Sequence, residues 1–261
     1  MGRTVDADHV AAPLGEQPLP ESVRLRTLGP DTADPVLDRL SACDVVQPPR
    51  DRADLLRRLD PADRRCFALM DDEAPDEPLA FVLVALADRI EASVQRILEA
   101  PAPEVAATPD TAVFYSINRC GRRHRRLSLG PALLHRAIAE LQATTTVTTF
   151  ATLSPIPGFA RWLEEEPSDD EELLRAGARY LLTAKRGQQP RDAVARFHLR
   201  NGARLERINL DGDVSDQGRE QSFGLTANYR YEPSRLDERA ARAAEGEVVA
   251  SSAVRSLLRA S

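Results

Sequence analysis

The 261-residue chain predicts an α/β fold organised around one parallel strand–helix–strand unit. Leu79-Ala-Phe-Val-Leu-Val-Ala-Leu86 is a continuous apolar run, the pattern of a strand buried on both faces. Thr111 to Ile117 is β-branched and aromatic and reads as a second strand. After a loop, Pro131 suits the first turn of a helix whose buried stripe is Leu134, Ala137, Ile138 and Leu141, and a threonine-rich strand follows over 144–153. Two strands joined through a helix in this order lie parallel.

The other elements follow in chain order. Residues 1–20 carry Pro, Gly and acids without periodicity and read as a disordered tail. Over 21–60, Val36, Leu37 and Leu40 follow Asp34-Pro35, and Leu55, Leu56 and Leu59 follow Asp51. These are two short helices ending near Pro48 and Pro61, a small helical appendage to a domain over 61–261. Phe67 to Met70 leads into an acidic turn, Asp71 to Glu77, and Pro78 marks the start of the apolar strand. Ile90, Val94, Ile97 and Leu98 share a helical face, and Asp169 to Glu172 suit the first turn of a helix running to Leu182. The pattern over 191–208 fits two structures. Asn201-Gly202 is either a hairpin turn or the cap of a helix carrying Val194 and Phe197. Beyond it Gly212, Gly218 and Gly224 punctuate short strand-like pieces, and Val254 to Leu258 reads as a last helical turn or two.

Composition excludes several classes. With 35 basic against 41 acidic side chains the net charge is −6, which argues against a general nucleic-acid binder. No stretch reaches the ~18 apolar residues that cross a bilayer, and the first twenty residues lack a signal peptide's apolar core. Cys43, Cys66 and Cys120 are odd in number, far apart and without a CxxC pair. They fit a reducing compartment better than a disulfide framework or a zinc site, so a cytoplasmic location is expected.

Charge is unevenly spread. Five of the eight residues from Arg119 to Arg126 are arginine, and seven of the nine from Glu164 to Glu172 are acidic. The arginines sit at the first strand–helix junction, where open α/β sheets take ligands and a helix N-terminus offers N–H groups to an anion. The plain alternative is a solvated basic loop. The acidic run reads as a solvated helix start with no catalytic role. Ser154 stands at a strand end, in a loop that Pro155-Ile156-Pro157-Gly158 removes from regular structure. It is either a site residue or a turn former, and no GxSxG elbow surrounds it. Of the histidines His9, His124, His135 and His198, the last stands out because Phe197 and Leu199 flank it.

Phe67-Ala-Leu-Met, Asp76 to Leu79, VFYSI (113–117), TLSPIPGFARWL (152–163), VARFHLRNGARLERIN (194–209) and GLTANYRYE (224–232) together resemble malonyl-CoA decarboxylases over roughly residues 50–260. The resemblance implies a GNAT-like acyltransferase fold, α/β of the α+β kind, with a central mixed, splayed sheet flanked by helices. The acyl-CoA would lie between the strands 111–117 and 146–153. It also implies that 191–200 is a helix capped by Asn201-Gly202. The family's catalytic serine and histidine fall on Ser154 and His198, with Tyr229 as a supporting hydroxyl. The CoA loop falls on Gly121, Arg122, Arg123, Arg125, Arg126, Leu127 and Gly130, where Arg123 and Arg126 replace family glycines.

The implied activity is decarboxylation of malonyl-CoA, methylmalonyl-CoA or a malonylated carrier protein, without metal, biotin or pyridoxal phosphate. A homodimer is compatible with it, and nucleic acid and membrane are not implied partners. An acyltransferase of the same fold and a non-catalytic acyl-CoA-binding scaffold are the alternatives.

Overall fold

The protein is described here by a computed structural model covering residues 19–60, 62–101, 108–121, 123–124, 127–166 and 172–259. Most of the tail, Arg122, Arg125, Arg126 and Asp169 to Glu171 lie outside the described residues.

The chain opens with β1 (Val23–Leu28), α1 (Asp34–Cys43) and α2 (Arg52–Arg58), followed by the hairpin strands β2 (Arg64–Asp71) and β3 (Ala74–Ala87). A short α3 (Val94–Glu99) leads to β4 (Thr111–Arg119), α4 (Leu129–Thr144) and β5 (Thr149–Thr152). After β6 (Ser154–Pro155) come α5 (Phe159–Glu165), α6 (Leu173–Thr183) and the small hairpin β7 (Lys185–Arg186) and β8 (Gln189–Pro190). The last part contains α7 (Ala193–Arg200), β9 (Arg204–Asn209), α8 (Asp216–Ser222), β10 (Thr226–Tyr231), α9 (Leu236–Ala244) and α10 (Ser252–Ser256).

One mixed sheet runs β1-β2-β3-β4-β5-β10-β6, with β9 on the other side of β10. β4 and β5 are its parallel pair, in register from Thr111↔Thr149 to Phe114↔Thr152, and α4 is the crossover between them. The expected strand over 144–153 is shorter than its threonines suggest. α4 keeps its helical bonds to Thr144, and the Thr145 hydroxyl bonds back to the Leu141 carbonyl at 2.6 Å, so only Thr149–Thr152 joins the ladder.

Two apolar cores follow from the two faces of the sheet. On one, α4 lays Leu134, Ala137, Ile138 and Leu141 against Phe67, Leu79, Val82 and Phe114. On the other, Val36, Leu37 and Leu40 of α1 and Leu55 beside Leu59 at the end of α2 pack with Cys66, Phe81 and Tyr115. The two expected N-terminal helices are therefore built onto the sheet, and β1, not anticipated, extends its edge by pairing with β2.

Two expectations change. Residues 216–222 form the helix α8, capped by the Ser215 hydroxyl, in place of a strand-like piece. Cys43 and Cys120 are disulfide-bonded with their Cα atoms 5.4 Å apart, and Cys66 is free and buried. Spacing of 77 residues hid a contact made by the end of α1 lying on the end of β4. The cysteines thus no longer argue for a reducing compartment. Among the described residues no helix is long and apolar enough to cross a membrane.

The ambiguous stretch over 191–208 resolves as helix followed by strand. Asp192 caps α7 by accepting from the Ala195 N–H at 2.8 Å, and Gly202 ends it at φ +82°. A Cβ on Gly202 would lie 2.4 Å from the Leu236 carbonyl oxygen. Gly202→Ala is therefore expected to destabilise the protein by at least ~2 kcal/mol, since positive φ and a backbone clash act together. Chemical denaturation checks it, and an unchanged midpoint would show that this helix end relaxes freely.

Candidate active site

The site arises where two neighbouring strands part. β4 and β5 stay paired through Phe114 and Thr152, and the Leu153 N–H still reaches the Phe114 carbonyl at 2.9 Å. Beyond this β4 continues to Arg119, while the other strand resumes as β6 and pairs with β10 instead. A cavity of about 400 Å³ fills the gap. Its lining is mostly apolar, including Phe114, Ile117, Leu153, Val194 and Phe197. At its wall stand Ser154 and His198.

Alternation along two strands puts the polar groups on one face. Thr152 and Ser154 are two residues apart on the broken strand, and Tyr229 and Tyr231 are two apart on β10. α7 crosses over them and lowers His198 into their midst. The Ser154 hydroxyl lies 3.1 Å from His198 Nε2 and donates to Thr152 Oγ1 at 2.8 Å. His198 Nδ1 is 2.8 Å from the Tyr231 hydroxyl. The imidazole stacks on the Tyr229 ring, centroids 4.7 Å apart and planes at 24°.

Burial sets the charge state. Only 3% of His198 is exposed, and desolvation lowers its pKa from the ordinary 6.5 to about 3, so the ring is neutral at working pH. Burial also pushes both tyrosine hydroxyls well above their usual range and keeps them protonated. The site therefore presents neutral donors in apolar surroundings.

The other wall comes from the N-terminal helices. Asp44, just past α1, accepts from Ser116 at 2.8 Å and Asn118 at 2.9 Å, and the Val45 N–H donates to Asn118 Oδ1 at 3.1 Å. These bonds, with the Cys43–Cys120 disulfide, fix Val46 against the cavity. Burial raises the Asp44 pKa against the lowering effect of those hydrogen bonds.

The predicted residues separate into groups. Ser154 and His198 come together. Tyr229 is at the site through its ring, while its hydroxyl has no hydrogen-bond partner among the described residues. The hydroxyl that meets His198 belongs to Tyr231, and Thr152 completes the set. Both were missed, although strand alternation from Ser154 and Tyr229 points to them. In the arginine loop, Arg119 donates to the carbonyls of Arg123, His124 and Leu127, and Arg123 pairs with Asp71 and Glu73 at 3.2 Å each. His124 also meets Asp71, at 2.8 Å. Arg123 and His124 thus hold the loop to the β2–β3 turn, while Arg119 ties the loop's own carbonyls together and also lines the cavity.

Gly121 (φ +66°) shapes the loop and Leu127 packs on the core. Among the described residues of the expected CoA set only Gly130 lines the cavity, and a Cβ there would meet the Phe197 ring at 2.9 Å. The glycine lets α4 and α7 approach at the cavity floor. Among the described residues no group of three or more His, Cys, Asp or Glu is arranged to hold a metal.

The mixed sheet that splays between β4 and β6 and is flanked by helices makes this a GNAT-like fold. Two solved structures share that fold: the GphF GNAT-like decarboxylase in complex with isobutyryl-CoA (20% identical, TM-score 0.55, covering 80% of this chain and 98% of that one) and the loading GNATL domain of CurA from Lyngbya majuscula (14%, 0.59, 80% and 97%). The malonyl-CoA decarboxylase C-terminal domain profile matches residues 22–177 and 170–261, and the chain belongs to that family.

Malonyl-CoA decarboxylase of Agrobacterium vitis is 35% identical with a TM-score of 0.84, covering 91% of this chain and 67% of that one. The Rhodopseudomonas palustris structure is 34% identical with a TM-score of 0.81, covering 90% and 66%. The mitochondrial enzyme of Anser anser anser is 33% identical over 250 residues, 75% of this chain and 49% of its own length. The chain thus spans about half the length of the curated relatives it matches.

The neutral state of His198 makes stability depend on pH. Its folded pKa is lower than its unfolded one, so unfolding takes up a proton between about pH 3 and 6.5, and stability falls as pH drops through that window. The slope is up to ~1.4 kcal/mol per pH unit. Unfolding midpoints at pH 7 and 4.5 should differ less in His198→Asn than in the wild type. Equal differences would show that the buried imidazole titrates normally.

Proposed function

We propose that this domain decarboxylates malonyl-CoA or a close malonyl thioester to the acetyl thioester and CO2. The observation that carries the reading is the neutral Ser154–His198 pair at the wall of an apolar cavity between parted strands. Loss of CO2 leaves the C–C electron pair on an enolate whose charge sits on the thioester oxygen, and a proton must then reach carbon. An apolar cavity strips water from the carboxylate. Neutral hydroxyl and imidazole donors orient it without the attraction a cation would exert on the departing charge.

The cavity also accounts for the thioester's arm. Gly130 in the first turn of α4 and Ala193 in the first turn of α7 both line it, and the Ser128 side chain does not cap α4. The first amides of α4 would receive a phosphate of CoA, and Arg119 also lines the cavity.

The reading requires no cofactor beyond the thioester. Incubation with malonyl-CoA in the presence of a chelator should yield acetyl-CoA and CO2. Ser154→Ala and His198→Ala should each lower kcat by ~100-fold or more. Full activity in both variants would refute the assignment, and CoA binding without CO2 release would favour the scaffold or transferase alternative.

A further inference from the structure

Ser154 and His198 are two members of a longer hydrogen-bonded chain, Thr152–Ser154–His198–Tyr231, with links of 2.8, 3.1 and 2.8 Å. All four residues are at most 5% exposed. Such a chain has two polarities. In one, Tyr231 donates to Nδ1, Nε2–H donates to Ser154, and Ser154 donates to Thr152. In the other, every bond is reversed and the imidazole proton sits on Nδ1.

Elementary donor and acceptor strengths separate them. A phenol is the strongest hydroxyl donor here and an unprotonated imidazole nitrogen the strongest acceptor, so the first polarity joins best to best. The reverse makes a phenol oxygen, a weak acceptor, take the imidazole proton, and leaves the phenol's own proton unmet. The first polarity leaves unmet only the proton of the Thr152 hydroxyl, a weaker donor whose lost bond costs less. Thr152 is suited to its end. Its oxygen also accepts the Tyr229 N–H at 3.2 Å, which fixes where the lone pair offered to Ser154 points.

We infer that Tyr231 and Thr152 are positioning residues that set the direction of this chain, holding His198 as the Nε2–H tautomer and the Ser154 hydroxyl on Thr152 until a thioester draws it away. His198 then faces the cavity side as the proton-bearing partner, with Ser154 as the hydrogen-bonding contact to the acyl group. For activity the inference rests on the decarboxylase reading, whereas the tautomer stands apart from it.

The test uses the full chain with 15N-labelled histidine. His198, identified by its loss in His198→Asn, should carry its proton on Nε2 from pH 5 to 8, and Tyr231→Phe should mix the two tautomers. A proton on Nδ1 in the wild type, or an unchanged spectrum in Tyr231→Phe, would overturn the assignment. Thr152→Val keeps the shape and should lower kcat for malonyl-CoA about tenfold with KM within about twofold, and Thr152→Ser should restore it. A serine variant no better than valine would remove Thr152 from the chain. Should the wild type turn over no malonyl thioester, the decarboxylase reading fails while the nitrogen spectrum still judges the tautomer.

Discussion

The site depends on how β10 bridges a strand that breaks. Its backbone pairs with β5 at Phe150 and Ala151 and with β6 at Ser154 and Pro155. Between these, side chains stand in for the ladder: Asn228 donates to the Thr152 carbonyl at 2.7 Å and the Tyr229 N–H to Thr152 Oγ1. The break is thereby held with the Thr152 carbonyl and the Tyr229 N–H both paired. It also turns the chain away from β4 and opens the cavity, while keeping Thr152, Ser154, Tyr229 and Tyr231 on one face.

A second constraint is the placement of α7. Asp192 caps its start and Gly202 its end, and the Asn201 carbonyl meets His135 Nε2 of α4 at 3.2 Å. Gly130 and Phe197 bring the two helices into close contact. The result is an imidazole delivered to a buried site by a helix held at both ends. Its neutrality follows from burial alone, with no charged neighbour needed to shift it.

Much of the fold was legible because each element carried its own period. The all-apolar β3, the β-branched β4 and the striped α4 are local signals, and they sufficed to place the parallel crossover. β1 escaped because Val23–Leu28 alternates with charged residues at an edge. The strand-like reading of 216–222 failed because a serine cap outweighs scattered glycines. Ser154 and His198 were found through the motifs around them, and Thr152 and Tyr231 were missed because each is an ordinary residue of a strand.

By itself the sequence determined the α/β order and the proline-bounded loop carrying Ser154, since these rest on neighbours within a few residues, while its pattern over 191–208 left the helix carrying His198 open. Tertiary structure alone decided that 44 residues of separation close to a 3.1 Å contact, that Tyr231 and not Tyr229 offers its hydroxyl, and that Cys43 meets Cys120. It also engaged the exposed Arg119 and Arg123 in hydrogen bonds that hold a loop. The reason is physical: contact and burial belong to the packed chain, and no local pattern encodes which face of a distant strand a side chain will meet.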